Sequence, residues 1–414
     1  MGAEHLDITE IDGGDSLYEA DGIIKESEEN VSRLFGCKTL YSTEGSSHCL
    51  RAMLYLSMLY ARKRGKEPLI AATRNIHKTF MSAVALLNID VNFIYPEKGE
   101  SFISCQATPQ EVENFLCNCD RKPTAVYLTS PDYLGDMADI ALISQICHRH
   151  DVLLLVDNAH GAYLKFLEDS EHPVDLGADM CCDSAHKTLP VLTGGAYLHL
   201  ADSVVSELEI YAKNALMMFG STSPSYLILQ SLDAANDYME KYPQRLKCFL
   251  EQSEQLKKRL MEHGYNLYGK EKLKITILAK SYGYTGEELA SILKKENIFC
   301  EFSDRDYLVL MLTPEIKTDE LNRLGEVLCS VPKKPAIIEK APDISRGERV
   351  LSVREAIFSL WERVPAEKSV GRILATASVG CPPAIPVLVC GERITKETVF
   401  CFEYYGIDFV DVVK

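Results

Sequence analysis

Val152-Leu153-Leu154-Leu155-Val156 is an unbroken apolar run that ends at Asp157. A strand with one wet face alternates apolar and polar residues, whereas a run without alternation is covered on both faces. Strands of that kind lie inside mostly parallel sheets flanked by helices. The surrounding chain repeats the theme. From about Lys38 to Leu200, segments 39–43, 68–72, 91–95, 125–128, 178–183 and 196–200 read as strands. Between them, Leu50, Met53, Leu54 and Met58 recur at helical spacing, and 78–87 and 138–150 read as helices. The fold class is therefore α/β with a mostly parallel sheet. In such sheets ligands sit outside the carboxyl ends of the strands, so chemistry is sought there.

Further along, 233–263 is polar and helical. Strands at 274–278 and 307–311 alternate with helices at 286–295 and 318–329, which implies a smaller α+β domain, with Thr285 placed to cap the first helix. Val331-Pro332-Lys333-Lys334-Pro335 reads as a linker, and a third segment follows with its own helix over 352–363. A chain of 414 residues is too long for one small core, so two or three domains are expected.

Charge and composition exclude several classes. A net charge of −16 argues against a nucleic-acid binder. No apolar run approaches the roughly eighteen residues of a membrane span. Glu4, Asp7, Glu10 and Asp12 stand where a signal peptide would be basic and then apolar, so a cytoplasmic protein is expected. The 14 cysteines are then expected to be reduced thiols. Cys117 with Cys119, Cys181 with Cys182, and Cys147 with His148 and His150 do not make a paired zinc signature. The last group reads as a helix C-terminus carrying histidines, and no metal is expected.

Four features at strand ends carry chemistry. Lys187 follows the strand 178–183, on what reads as a loop, where partial desolvation favours the neutral amine that forms an imine. Ser184 and His186 flank it and can donate to phosphate oxygens; alone, Lys187 is equally a surface lysine. Asp157 ends the buried run, where a carboxylate is costly unless paired; a protonated pyridine nitrogen suits it, as would a helix cap. His160 can donate to a ring oxygen of the same ligand or lie over it. Gly45-Ser46-Ser47 opens a helix and presents N–H groups to a phosphate, or simply caps the helix. His77 follows the strand 68–72 and can stack on a pyridine ring, or start a helix. Together these are the lysine, carboxylate, stacking partner and phosphate cradle that pyridoxal phosphate (PLP) requires.

Asp157-Asn158-Ala159-His160-Gly161-Ala162-Tyr163 and Ser184-Ala185-His186-Lys187-Thr188-Leu189-Pro190 resemble motifs of the Orn/Lys/Arg decarboxylase family. Further segments resemble it as well: Leu6-Asp7-Ile8-Thr9-Glu10-Ile11, Arg74-Asn75-Ile76-His77-Lys78, Ser221-Thr222-Ser223-Pro224-Ser225-Tyr226, Cys381-Pro382-Pro383-Ala384-Ile385-Pro386 and Gly391-Glu392-Arg393-Ile394-Thr395. The resemblance implies a fold-type I, aspartate-aminotransferase-like PLP enzyme. It implies an N-terminal arm (1–25), a PLP-binding large domain (26–235), a small domain (236–332) and a C-terminal family domain (333–414). The implied activity is decarboxylation of arginine, lysine or ornithine to a polyamine-pathway amine, with PLP held as a Schiff base by Lys187. Asp157 would pair with the pyridine nitrogen and His77 would stack on the ring. Gly45, Ser46, Ser47, Ser184 and His186 would hold the phosphate. Ser221 and Thr222 would approach a neighbouring subunit's site, which implies a homodimer or larger assembly.

The chain departs from the family pattern in places. Five residues precede Leu6, where the family carries a stretch with Pro-Gly-His-Lys. Asn158, Glu44, Gly194, Cys381 and Ala384 stand where Glu, Asn, Gln, Tyr and Gly are usual. Two other readings compete with a decarboxylase. One is an α-oxoamine synthase or aminotransferase using the same Asp and Lys; the other is a catalytically silent regulatory paralogue.

Overall fold

A computed structural model of the chain describes residues 2–96, 102–104, 106–343, 347–376 and 385–414. It forms two compact units. One runs up to Pro243; the other carries Pro131–Met137 and Gln244–Lys414.

The first unit begins with α1 (Ile23–Phe35), β1 (Lys38–Ser42), α2 (Ser46–Lys63) and β2 (Leu69–Thr73). It continues with α3 (Lys78–Leu87), β3 (Asp90–Ile94), α4 (Pro109–Asn118), β4 (Ala125–Thr129) and α5 (Ile140–Arg149). Then come β5 (Leu153–Asp157), β6 (Met180–Asp183), a one-turn α6 (Ala185–Thr188), β7 (Ala196–Leu200) and α7 (Asp202–Phe219). The long α8 (Tyr226–His263) contains Pro243, where the units divide.

The seven strands lie in the order β1-β7-β6-β5-β4-β2-β3. The run from β6 to β3 is parallel, and β7 is antiparallel to both its neighbours. All five residues of β5 are buried, as the unbroken apolar run requires. Val126, Leu128, Leu154, Val156 and Cys181 point to one face and pack with Val112 and Leu116 of α4 and Ile140, Ile143 and Cys147 of α5. Each such apolar side chain contributes about 1.5–3 kcal/mol when fully buried. Because side chains alternate along a strand, Tyr127, Leu155, Asp157 and Cys182 face the other way. There the Phe80 ring of α3 lies 4.5 Å from the ring of Tyr127.

Local chemistry sets the helix ends. Thr108 caps α4 in a reciprocal box with Glu111, just ahead of Pro109. Asp139 accepts the N–H of Leu142 to start α5. Helix α7 had no counterpart in the sequence reading, although Val204, Leu208, Ala212, Ala215 and Leu216 form its buried stripe. That spacing is a helical signal that went unused.

The second unit holds β8 (Leu267–Tyr268), β9 (Lys274–Leu278), α9 (Gly286–Lys295), β10 (Phe302–Ser303), β11 (Tyr307–Met311) and α10 (Thr318–Ser330). Its strands form an antiparallel sheet in the order β10-β11-β9-β8. Thr285 caps α9, accepting the N–H of Glu288. The expected linker at 331–335 is fastened to this unit: the hydroxyls of Tyr282 and Tyr284 donate to the carbonyls of Val331 and Pro332 at 3.0 and 2.8 Å. After it come α11 (Val353–Phe358), β12 (Trp361–Pro365), α12 (Lys396–Tyr404) and β13 (Phe409–Val413). The helix expected over 352–363 therefore stops at Phe358. Residues 361–365 pair with β13 instead, and Arg363 reaches Asp411 at 2.8 Å. Leu388, Ile394, Phe402 and Val410 share one core with Phe302, Tyr307 and Val309. The sequence motif 381–384 lies outside the described residues.

Candidate active site

Asp157 stands at the carboxyl end of β5 with only 4 % of its surface exposed. Its carboxylate accepts from the Tyr127 hydroxyl at 3.0 Å and the Ala159 N–H at 3.3 Å, with the Cys182 thiol at 3.8 Å. Tyr127 and Cys182 sit on the same sheet face by register. Among the described residues no Lys, Arg or His forms an ion pair with it. Burial pushes the Asp157 carboxyl up from its ordinary value, against the opposing pull of the Lys187 charge. A buried carboxylate without a cation is unfavourable, so the site is built to receive one.

Lys187 is carried on α6, one turn past β6, rather than on the loop expected from the sequence. The turn forms because the Lys187 N–H bonds back to the Ser184 carbonyl and the Leu189 N–H to the Ala185 carbonyl. The Lys187 Nζ lies 2.7 Å from Nε2 of His160, itself buried just after β5. His186, on the same turn, commits its Nδ1 to the Gly195 carbonyl at 3.0 Å, which leaves Nε2 for another partner.

The serines gather at the start of α2. Gly45 adopts φ +75°, and α2 begins with no side-chain cap, so its first N–H groups are open to an anion. The Ser184 hydroxyl donates to Ser46 Oγ at 2.8 Å, tying the α6 turn to this helix start. Ser47 Oγ lies 3.1 Å from Thr79 Oγ1, and that oxygen lies 2.9 Å from His77 Nδ1. The Gly45 N–H bonds the Gly194 carbonyl at 2.7 Å. Gly194 has φ +104°, and a Cβ there would come within 2.6 Å of the Thr43 carbonyl oxygen. A glycine at 194 lets the chain pass close beneath the serine turn.

His77 is the N-cap of α3, its Nδ1 accepting the Thr79 N–H at 3.2 Å. That bond places the ring proton on Nε2. Burial, with the positive charges of Lys187, Lys78 and Arg51, pushes His77 down to about 4, so the imidazole is neutral at ordinary pH. Ser221 and Thr222 are exposed; the Ser221 N–H donates to Glu44, one residue ahead of Gly45. Asp7 accepts the Tyr226 N–H at 2.9 Å and so fastens the other end of that stretch.

The structure thus brings Lys187, His160, Asp157, His77, Ser46, Ser47, Ser184 and His186 to one end of one sheet. The sequence reading missed Tyr127, Thr79 and Cys182. The signal for Tyr127 was available: it lies two residues before the end of the strand next to β5, on the face Asp157 uses. The donor set fits PLP. An uncapped helix start with three serine hydroxyls suits a phosphate, a neutral imidazole suits a ring face, and a buried unpaired carboxylate suits a protonated pyridine nitrogen.

Residues 3–276 match the family description "Orn/Lys/Arg decarboxylase, major domain", and residues 350–407 match "Orn/Lys/Arg decarboxylase, C-terminal domain". An uncharacterized protein of Bacillus subtilis, YaaO, is 31% identical over 95% of this chain and 84% of its own length. An arginine decarboxylase of the same organism is 28% identical over 95% of this chain and 83% of its own. The crystal structure of the lysine decarboxylase LdcF of Francisella novicida superposes with a TM-score of 0.78 at 18% identity, over 96% of this chain and 73% of that one.

Proposed function

The chain belongs to the Orn/Lys/Arg decarboxylase family and is a PLP-dependent amino-acid decarboxylase; on that premise we propose that its substrate is a basic amino acid, arginine before lysine or ornithine, and that Lys187 anchors the cofactor. Arginine comes first because a relative named arginine decarboxylase aligns along 95% of the chain. The observation that carries the role of Lys187 is its Nζ, 2.7 Å from His160 Nε2, on the turn that Ser184 ties to the start of α2.

When bound, PLP supplies an aldehyde that condenses with amines and a ring that takes up the electron pair of the breaking bond. Lys187 would hold the cofactor through its amine, which the substrate's amine would replace. His160 Nε2 faces the lysine nitrogen and accepts its proton, which keeps the amine nucleophilic. Asp157 holds a proton on the ring nitrogen and so keeps the ring electron-poor. Its own charge is balanced in the filled site, which offsets the cost of burying it. His77 offers an uncharged imidazole to the ring. Ser46, Ser47, Ser184 and the N–H groups opening α2 hold the phosphate, joined by Nε2 of His186. Lys187 then returns a proton to the α-carbon, and the products are carbon dioxide and agmatine, cadaverine or putrescine. We further propose that the enzyme works in the cytoplasm as a homodimer or larger assembly, with the exposed residues Ser221, Thr222 and Ser223 completing a neighbour's site.

The test is to supply arginine, lysine and ornithine to PLP-loaded protein and measure amine and carbon dioxide beside Lys187→Ala. Amine from one substrate, absent in the variant, is expected. A yellow wild type that makes no amine from any of the three refutes a basic substrate. Turnover that persists in Lys187→Ala refutes the role of that lysine.

A further inference from the structure

On the opposite face of β6 from Asp157 lies a second cluster. Cys181 and Asp183 alternate with Cys182 along the strand, and His199 on β7 stands beside Cys181 in register. His172 arrives from the segment between β5 and β6. All four side chains are buried, and one donor atom from each lies within 4.8 Å of the others. His172 Nε2 and His199 Nε2 both face the same oxygen, Asp183 Oδ2, at 3.1 and 3.2 Å. The Cys181 Sγ is 3.9 Å from His172 Nε2.

The hydrogen bonding around His199 leaves a gap. The Thr39 hydroxyl lies 3.4 Å from the Cys37 carbonyl and 2.9 Å from His199 Nδ1, and the Cys37 thiol lies 3.7 Å from the same nitrogen, an arrangement that suits a proton on Nδ1. With its proton on Nδ1, the ring directs a lone pair from Nε2 at a carboxylate oxygen. Nε2 has no hydrogen-bond partner among the described residues. Two lone pairs facing each other in a dry interior need a cation between them, either a second proton on the ring or a metal ion.

We propose that His172, Cys181, Asp183 and His199 form a structural site for one tetrahedral Zn2+ ion. Zinc bound to nitrogen and oxygen at about 2.0–2.1 Å and to sulfur at about 2.3 Å spaces its ligands roughly 3.3–3.6 Å apart. The measured separations of 3.1, 3.2 and 3.9 Å bracket that range. One carboxylate and one thiolate neutralise the ion, which suits an interior position. Mixed imidazole and thiolate donors select zinc over the harder cations. The four protein donors are walled by Phe35, whose ring centroid lies 4.6 Å from that of His199 and 5.3 Å from that of His172. No ligand position faces water, so the ion is structural rather than catalytic.

The outer contacts suit the role. Asn158 donates to the other oxygen of Asp183 at 2.7 Å, and Thr39 holds the far side of His199. Asn158 is also the residue next to Asp157. The zinc therefore braces the strand ends that carry the active-site carboxylate, whatever the substrate turns out to be. The spacing in sequence hides the site, because its ligands come from two strands and an intervening segment rather than from a short motif.

The test is the metal content of the full chain purified with PLP and without an affinity tag that binds metals. About one zinc per chain is expected, retained through dialysis and released by a chelator only on unfolding. Cys181→Ser, which keeps the size of the side chain, should lose most of the metal. Cys117→Ser should keep it, which separates this site from the more exposed group of Glu113, Cys117 and His150. Protein grown with Co2+ should show tetrahedral visible bands, with a thiolate contribution absent from Cys181→Ser. A wild-type chain without metal, both as purified and after refolding with Zn2+, overturns the proposal and makes the cluster a buried imidazolium–carboxylate pair. Metal that persists in both Cys181→Ser and His199→Gln overturns it as well.

Discussion

Replacing Asp157 by Asn should move cofactor affinity and cofactor-free stability in opposite directions. Asn keeps the volume, accepts the Ala159 N–H, and can exchange a hydrogen bond with the Tyr127 hydroxyl, so the local packing survives. The buried charge does not survive. Removing one partner of a buried ion pair costs about 3–5 kcal/mol, so if Asp157 pairs with the pyridine nitrogen as proposed, PLP binding should weaken by about a hundred- to several-thousand-fold. Decarboxylation at saturating cofactor should fall too, because the ring loses its proton. The cofactor-free protein behaves otherwise. Burial holds the folded pKa of Asp157 above 3.8. Its contribution to folding is therefore full below about pH 4 and is lost as pH rises through the raised value. Asn carries no such penalty, so the cofactor-free variant should unfold at the same temperature as wild type at pH 7, or higher. Titration of PLP by visible absorbance and thermal melts of the cofactor-free proteins measure both. A variant that binds PLP as tightly as wild type, or whose cofactor-free form melts well below it, refutes this account of Asp157.

His77 is pushed down to about 4, so the folded protein resists its protonation. Stability should be full above pH 6.5 and decline as pH falls toward 4, and His77→Phe should remove that part of the decline in melts of the cofactor-free protein. The Phe variant should also hold PLP better than His77→Ala, by roughly two- to tenfold in Kd, because a flat ring remains to stack. Gly194→Ala should lose about 1–3 kcal/mol in chemical denaturation through its positive φ and the 2.6 Å approach to Thr43. It should also weaken PLP binding, because Gly45 hangs on the Gly194 carbonyl. Lys213→Met strands the buried carboxylate of Glu28, 2.6 Å away, and should destabilise the chain by about 3–5 kcal/mol. Adding Glu28→Gln to it should recover most of that loss.

The parts of the fold that were legible are those whose physics is written locally. The run 152–156 is apolar throughout because both faces of β5 are covered, and Asp157 stands out because it ends that run. Thr285 announces α9 because a cap and the N–H it accepts lie three residues apart. α7 is legible too, because its stripe Val204, Leu208, Ala212, Ala215 and Leu216 recurs at helical spacing. The first three residues of β12 read as helix because its partner β13 lies some 48 residues away and leaves no mark on them. The side chains around Asp157 were only partly legible for a related reason. Tyr127 and Cys182 come from neighbouring strands and meet it only through register.

Register also explains why two sites sit back to back. Along β6, Cys182 turns toward Asp157, while Cys181 and Asp183 turn toward His172 and His199. At the end of β5 the same alternation sends Asp157 to one face and Asn158 to the other. Asn158 donates to Asp183. A glutamate would set a second acceptor against the buried Asp183 carboxylate. In this chain an amide at 158 suits the carboxylate at 183, and the bond between them links the buried cluster to the end of β5.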